Sequence, residues 1–344
     1  MGSVRTFSGR IWNGQQFEDG NLVIEGGRIK DIVLGQLRKG ADLTGLLMPG
    51  VIDTHTHVAD AGLVLDRKYG LEELVAPPNG LKHRYLRENS DEKIAADMRP
   101  YISKLESSGV SRFIDFREGG VKGAKLLRSV SDRAVILGRP ESKEYDPSEI
   151  DEILQYADGI GIPSISDMDI GYIDAVADQV HKKNKMLALH VSERVREDID
   201  TVISLEPDLI IHMTKATDED MRKCADNNIP VSVCPSSNLY FGMVPPVTRM
   251  LDAGMAVSIG TDNGMLSPSA DIMTEARCLS EILGDQGKDP LRAYALLIAC
   301  GHNVLYDDSL TVDKAGKWAD FTIFPCTEEE LLKGTAVASA RYGP

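Results

Sequence analysis

The chain has 344 residues, and its 53 acidic side chains against 38 lysines and arginines leave a formal charge of −15. That balance excludes recognition through a phosphate backbone, which needs clustered Lys and Arg, and no run approaches the roughly 18 apolar residues of a membrane span. Five scattered cysteines, Cys224, Cys234, Cys278, Cys300 and Cys326, hold no CxxC pair and read as free thiols of a reducing compartment, so a soluble, cytoplasmic protein is expected.

Residues 1–47 read as short strands and turns, with strands predicted at 4–7, 10–12, 21–25 and 28–34 and a turn at Gly26-Gly27. Pro49-Gly50 then opens an apolar run over 51–57 that closes on His55-Thr56-His57. A strand period of two sends Asp53, His55 and His57 to one face and Ile52, Thr54 and Thr56 to the other. Two neutral imidazoles on one strand face suit a metal ion, the plainer alternative being two surface histidines on an edge strand. The loop-rich segment 59–89, with Pro77-Pro78-Asn79-Gly80, has the length of a lid or a binding loop.

From Asp91 onward helix and strand alternate, beginning with a helix over 92–107 capped by Ser90. Strands are predicted at 112–116, 134–138, 159–162, 186–190, 209–212, 231–234 and 256–261, which with 51–57 make eight. Helices fall between them at 123–129, 146–156, 169–182, 194–204, 218–227 and 246–253. This order predicts a closed parallel (β/α)8, TIM-like barrel, because such strands are buried on both faces. An open doubly wound sheet is the alternative, but no Gly-rich phosphate loop follows the first strand. Helices at 272–283 and 291–300 complete the barrel, and 309–324 returns to strand and turn. A small β-sandwich module built from both chain ends, 1–47 with 309–344, is therefore expected beside a catalytic barrel over 48–308.

In such a barrel the chemistry lies at the C-terminal ends of the strands. Strand one ends in His55 and His57, strand five in His190 with Glu193 three residues on, strand six in His212 and strand eight in Asp262. Taken singly, His190 or His212 reads as a hydrogen-bonded core histidine; four of the seven histidines at strand ends point instead to a metal site. His83 in the long loop stays undecided, His181 beside Lys182-Lys183-Asn184-Lys185 reads as surface, and His302 as structural. Arg117, Glu118, Arg139, Glu141 and Asn263 follow strand ends, either as substrate contacts or as ion pairs and caps.

These residues resemble the amidohydrolase superfamily, and within it the cytosine-deaminase and chlorohydrolase-like branch. The segment from Pro49 to His57 is similar to the family's HxH strand, Leu189-His190-Val191-Ser192-Glu193 to its HxxE strand, and His212 to its strand-six histidine. Cys234-Pro235-Ser236-Ser237-Asn238 through Gly260-Thr261-Asp262-Asn263 resembles the late signature, and Gly316-Lys317-Trp318-Ala319-Asp320 the segment closing the flanking β module. Dinuclear members carry a carboxylated lysine at the end of strand four; residues 159–166 offer none, and Lys143 lies too early.

The resemblance thus implies one divalent ion, Zn2+ or Fe2+, on His55, His57, His190 and Asp262, able to activate water near neutral pH. It also implies that Asp262 takes the water proton, that His212 orients the hydroxide and polarises the oxyanion, and that Glu193 protonates a ring nitrogen. Glu193 must then start protonated, which burial favours. The implied activity is deamination of an amino-substituted N-heterocycle such as a pyrimidine, purine, pterin or adenosyl derivative. Hydrolysis of a cyclic amide or another C–N or C–X bond is the alternative within enzymes. A non-catalytic barrel scaffold is the third reading, whose mark would be loss of one of these six positions, and none is lost. The expected partner is a small heterocyclic substrate, without nucleic acid or membrane; a homo-oligomer is compatible with all three readings.

Overall fold

A computed structural model describes residues 4–13, 16–26, 28–306, 321–333 and 340–342. The chain divides into two compact units: Met1–Ile52 with Leu105–Arg112 and Asp271–Pro344, and Asp53–Lys104 with Phe113–Ala270.

Strands β1 (Val4–Trp12), β2 (Phe17–Glu25), β3 (Arg28–Leu34) and β4 (Leu43–Pro49) lead into β5 (Val51–His57). The segment predicted as loop contains α1 (Leu71–Val75) and α2 (Leu81–Glu88), followed by α3 (Asp91–Ser107). Then come β6 (Val110–Arg117), α4 (Gly120–Val130), β7 (Ala134–Gly138), α5 (Pro147–Ile153), β8 (Gly159–Ile162) and α6 (Ile170–Lys182). The alternation continues through β9 (Met186–Val191), α7 (Ile199–Ser204), β10 (Leu209–His212), α8 (Asp218–Asp226), β11 (Val231–Val233), α9 (Pro235–Tyr240), α10 (Val247–Asp252) and β12 (Val257–Ile259). Last are β13 (Asp262–Asn263), α11 (Ile272–Asp285), α12 (Arg292–Tyr306), β14 (Phe321–Phe324), α13 (Glu328–Lys333) and β15 (Ala340–Tyr342).

In the first unit one sheet runs β15-β14-β4-β1-β2-β3, so strands from both chain ends share it. β14 lies antiparallel to β4, with Phe321 opposite Pro49 and Phe324 opposite Leu46. Its core is Phe7, Ile11, Leu22, Ile24, Ile29, Leu47, Phe321 and Ile323. Among the described residues this is a single layer, and the second layer of a sandwich is not among them; the predicted closing segment, 316–320, lies outside them. The first unit also takes in α11 and α12, which the predicted layout assigns to the barrel.

β1 runs through the predicted break at Gly9 because Gly9 faces Gly20 across β2 and Gly45 across β4, where the backbones approach closely. A Cβ on Gly45 would meet the Phe324 carbonyl oxygen at 2.1 Å, and its φ is +124°. Gly45→Ala is therefore expected to cost at least the roughly 1–3 kcal/mol of a disfavoured backbone conformation. A urea midpoint equal to wild type would contradict this.

The other sheet runs β12-β11-β10-β9-β8-β7-β6-β5-β13, and the pairs from β6 through β12, as well as β5 with β13, are parallel. Strand eight is split: β12 and β13, separated by Gly260-Thr261, sit at the two ends of that order, so the chain passes from one edge of the sheet to the other within two residues. This is the α/β arrangement of a TIM-like barrel. Gly260 allows the passage, since a Cβ there would lie 2.8 Å from the His55 amide nitrogen and 2.7 Å from its carbonyl oxygen. Among the described residues no helix is long and apolar enough to cross a membrane.

Candidate active site

The parallel sheet brings the predicted residues together at the ends of its strands. His55 and His57 end β5, His190 lies in β9, His212 ends β10 and Asp262 opens β13. Ring centroids of His55 stand 4.9 Å from His57, 4.9 Å from His190 and 5.7 Å from His212. Phe116 packs edge-on against His55 and His190, at 4.6 and 4.8 Å. Asp262 and His212 are both held at positive φ, +61° and +73°, a backbone cost of about 1–3 kcal/mol each that neighbouring bonds must offset. Helix α9 supplies two of those bonds: Ser237 Oγ donates to Asp262 Oδ2 at 2.5 Å, and Asn238 Nδ2 stands 3.2 Å from His212 Nδ1.

The donor set fits a metal ion. One ligand atom from each of His55, His57 and His190 lies within 4.8 Å of the others, and so do those of His55, His212 and Asp262. Both ring nitrogens of His55 are buried without a hydrogen bond among the described residues, Nε2 standing 3.3 Å from Asp262 Oδ1. Such an orphaned imidazole is costly unless something else engages it. Burial lowers the His55 pKa to about 3 and holds His190 well below the ordinary range, so both rings are neutral, the form that binds metals. Burial raises Asp262, but the close approach of the His55 ring, with His212 and His57 near it, outweighs burial and holds the carboxyl well below the ordinary range.

Glu193 follows β9, and its Oε1 stands 3.5 Å from His212 Nε2 with the side chain 19% exposed. Burial pushes its carboxyl pKa up. The helix predicted over 194–204 would place Glu193 at its N-terminus as a cap, but α7 begins at Ile199 behind Asp198. Residues 193–197 are shaped otherwise: the Ser192 amide donates to Glu197 Oε2 at 2.9 Å, and the Glu197 amide donates to Ser192 Oγ at 3.0 Å.

His57, His190, Glu193, His212 and Asp262 line a cavity of about 410 Å³. Pro163 and Ser164, which follow β8, belong to its wall, and residues 159–166 hold no lysine. His83 lines it from α2, its Nε2 3.1 Å from the Val75 carbonyl oxygen, and burial lowers its pKa to about 4. A second cavity of about 920 Å³ shares His83 and Arg139 with the first and is lined by Arg117, Glu118 and Glu141. Arg117 is buried, Glu118 stands 3.1 Å from His57 Nδ1, and Glu141 is exposed. His181 is half-buried in α6, and the His302 side chain lies outside the described residues.

Sequence reasoning missed Lys82, Asp60 and Asp115, and gave no role to Ser237 and Asn238. Lys82 Nζ lies 2.6 Å from Glu118 Oε1, Asp115 accepts from the Val58 amide at 2.7 Å, and burial raises Asp60 to about 7. No periodic signal marks them, since each is buried by partners distant in sequence.

Comparison with known proteins agrees with this geometry. The family model described as "Amidohydrolase family" matches residues 46–325. An uncharacterized protein of Methanocaldococcus jannaschii is 32% identical, the match covering 93% of this chain and 89% of that protein. A 5-methylthioadenosine/S-adenosylhomocysteine deaminase of Thermotoga maritima is 26% identical over 76% of this chain and 69% of its own. Among solved structures, an adenosine deaminase from Xanthomonas campestris with bound zinc is similar in fold, with a TM-score of 0.74 at 16% identity over 97% of this chain and 89% of that one.

Proposed function

We propose, given that the chain belongs to the amidohydrolase family, that it is a metal-dependent hydrolase that deaminates an amino-substituted N-heterocycle. The observation that carries this reading is Glu193, a half-buried carboxyl with a raised pKa standing 3.5 Å from His212 beside the imidazole cluster. A carboxyl whose pKa is raised there holds its proton more readily than an ordinary glutamate and can give it to a ring nitrogen, a step that simple amide hydrolysis does not need.

In this proposal His55, His57, His190 and Asp262 hold one divalent ion, zinc or ferrous iron, with the neutral rings and ionised carboxylate described above as support. When bound, the ion supplies a Lewis acid that activates water near neutral pH. Asp262 accepts the proton of the attacking water, while Ser237 keeps its other oxygen engaged. With the Asn238 amide nitrogen facing Nδ1, the His212 ring proton sits on Nε2, ready to donate to the developing oxyanion. Glu193 protonates the ring nitrogen as the carbon becomes tetrahedral. The amino group then leaves as ammonia after receiving the proton held by Asp262, and Glu193 is reloaded by the hydroxyl proton released as the oxo product forms, the ring nitrogen keeping the proton that Glu193 gave it. The name of the Thermotoga relative makes adenosyl compounds the first substrates to try, before free pyrimidines, purines and pterins.

The proposal extends to layout and setting: a catalytic barrel over 48–308 and a module from 1–47 with 309–344, supported by the sheet that pairs β14 with β4. A cytoplasmic setting is supported by the free thiols of Cys224, Cys278 and Cys326.

Elemental analysis of the metal-loaded protein is expected to find close to one ion per chain; two tightly held ions would contradict the ligand set. Mass spectrometry of a heterocycle panel is expected to find an amino group replaced by oxygen in at least one member. Conversion of cyclic amides alone would favour the alternative hydrolysis.

A further inference from the structure

The buried face of a short amphipathic helix ordinarily carries an apolar residue, yet in α2 the one buried residue is Lys82. It is 3% exposed. A buried ammonium is costly unless its three N–H groups find acceptors. Its Nζ stands 2.6 Å from Glu118 Oε1 and 3.1 Å from Asn263 Oδ1, with Asp60 Oδ2 farther off at 3.8 Å. Each of the two nearer partners also touches one candidate ligand. Glu118 Oε1 is 3.1 Å from His57 Nδ1, which also faces the Phe116 carbonyl at 2.9 Å. Asn263 Nδ2 donates to Asp262 Oδ1 at 2.8 Å.

We propose that Lys82 is a positioning residue for the metal centre, holding Glu118 against His57 and Asn263 against Asp262, so that ion affinity depends on α2 being seated. This rests on the reading of His57 and Asp262 as ligands. The reason is geometric. A ring whose Nδ1 bonds the Phe116 carbonyl presents Nε2 as an acceptor in one fixed direction, and a carboxylate held close beside that ring raises the basicity of the ligand. Without Lys82, Glu118 is a buried carboxylate short of its nearest counter-charge and Asn263 loses the donor that fixes its amide. Both arms then loosen together.

The test is competition of the intact protein against a fluorescent chelator for Zn2+, with Lys82→Met, Glu118→Gln and Asn263→Ala. Lys82→Met is expected to weaken zinc binding by about 10–100-fold, the usual effect of an outer-shell partner. Glu118→Gln and Asn263→Ala each weaken it by less, and adding Lys82→Met to Glu118→Gln costs less than the sum of the two singles, because they share one arm. A residue that merely stabilised the fold would lower the melting temperature and leave zinc affinity alone. Wild-type affinity in a folded Lys82→Met overturns the proposal; should that variant not fold, wild-type affinity in both Glu118→Gln and Asn263→Ala overturns it. His190→Ala separates the two levels: if it binds zinc as wild type does, the ligand reading fails and takes the proposal with it. If it loses zinc while the Lys82, Glu118 and Asn263 variants keep it, only the proposal fails.

Discussion

Glu193→Gln lowers kcat by about 10²–10⁴-fold on a confirmed amino-heterocycle, with metal content unchanged. Glutamine keeps the size of the side chain and can still meet His212 Nε2, which faces Oε1 at 3.5 Å. It cannot deliver a proton and recover it. In the proposed mechanism the ring nitrogen gains that proton as the tetrahedral carbon forms, so the loss would fall on the transition state and kcat and kcat/KM would drop by similar factors. The pH dependence follows from the same carboxyl. Burial raises its pKa, so the protonated form is present at low pH and is lost as pH rises through the folded value. Wild-type activity should therefore decline on the alkaline side with an apparent pKa above that of an ordinary glutamate. Wild-type kcat in Glu193→Gln would remove the proton-transfer role and, with it, the ground for preferring deamination.

Asp262→Asn carries the second large effect, because it separates two losses that coincide in one residue. The substitution is geometrically mild: Asp262 sits at φ +61°, a conformation that Asn also tolerates, and Ser237 Oγ can still bond to the amide oxygen. The charge is gone, so metal affinity falls by more than the roughly 10–100-fold typical of an outer-shell partner. The proton acceptor is gone as well. At metal concentrations that restore occupancy, kcat should remain about 10²–10⁴-fold low. Titrating metal while measuring turnover distinguishes the two, and full recovery at saturating metal would limit Asp262 to a ligand.

Much of the site was legible because strand ends can be read from apolar runs. The period of two in residues 51–57 sent His55 and His57 the same way, and the runs before His190, His212 and Asp262 marked three more strand ends. What could not be read depends on contacts between distant residues. β4 escaped notice because Gly45 interrupts its alternation, and only the approach of the Phe324 carbonyl explains that glycine. The predicted helix start near Arg194 shifted to Ile199 because Ser192 and Glu197 bond each other's amides across the turn, which no local propensity announces. Nothing in the sequence around Lys82 marks it as buried. Its burial follows from Glu118 and Asn263, the latter 181 residues away.

The direct measurement is ammonia release from adenosyl and pyrimidine substrates by one preparation assayed as loaded, after chelation, and after reloading with zinc. The structure predicts release by the loaded protein, its loss on chelation and its return with zinc. Undiminished release from chelated protein, or metal-dependent hydrolysis of cyclic amides with no ammonia from any amino-heterocycle, would contradict it.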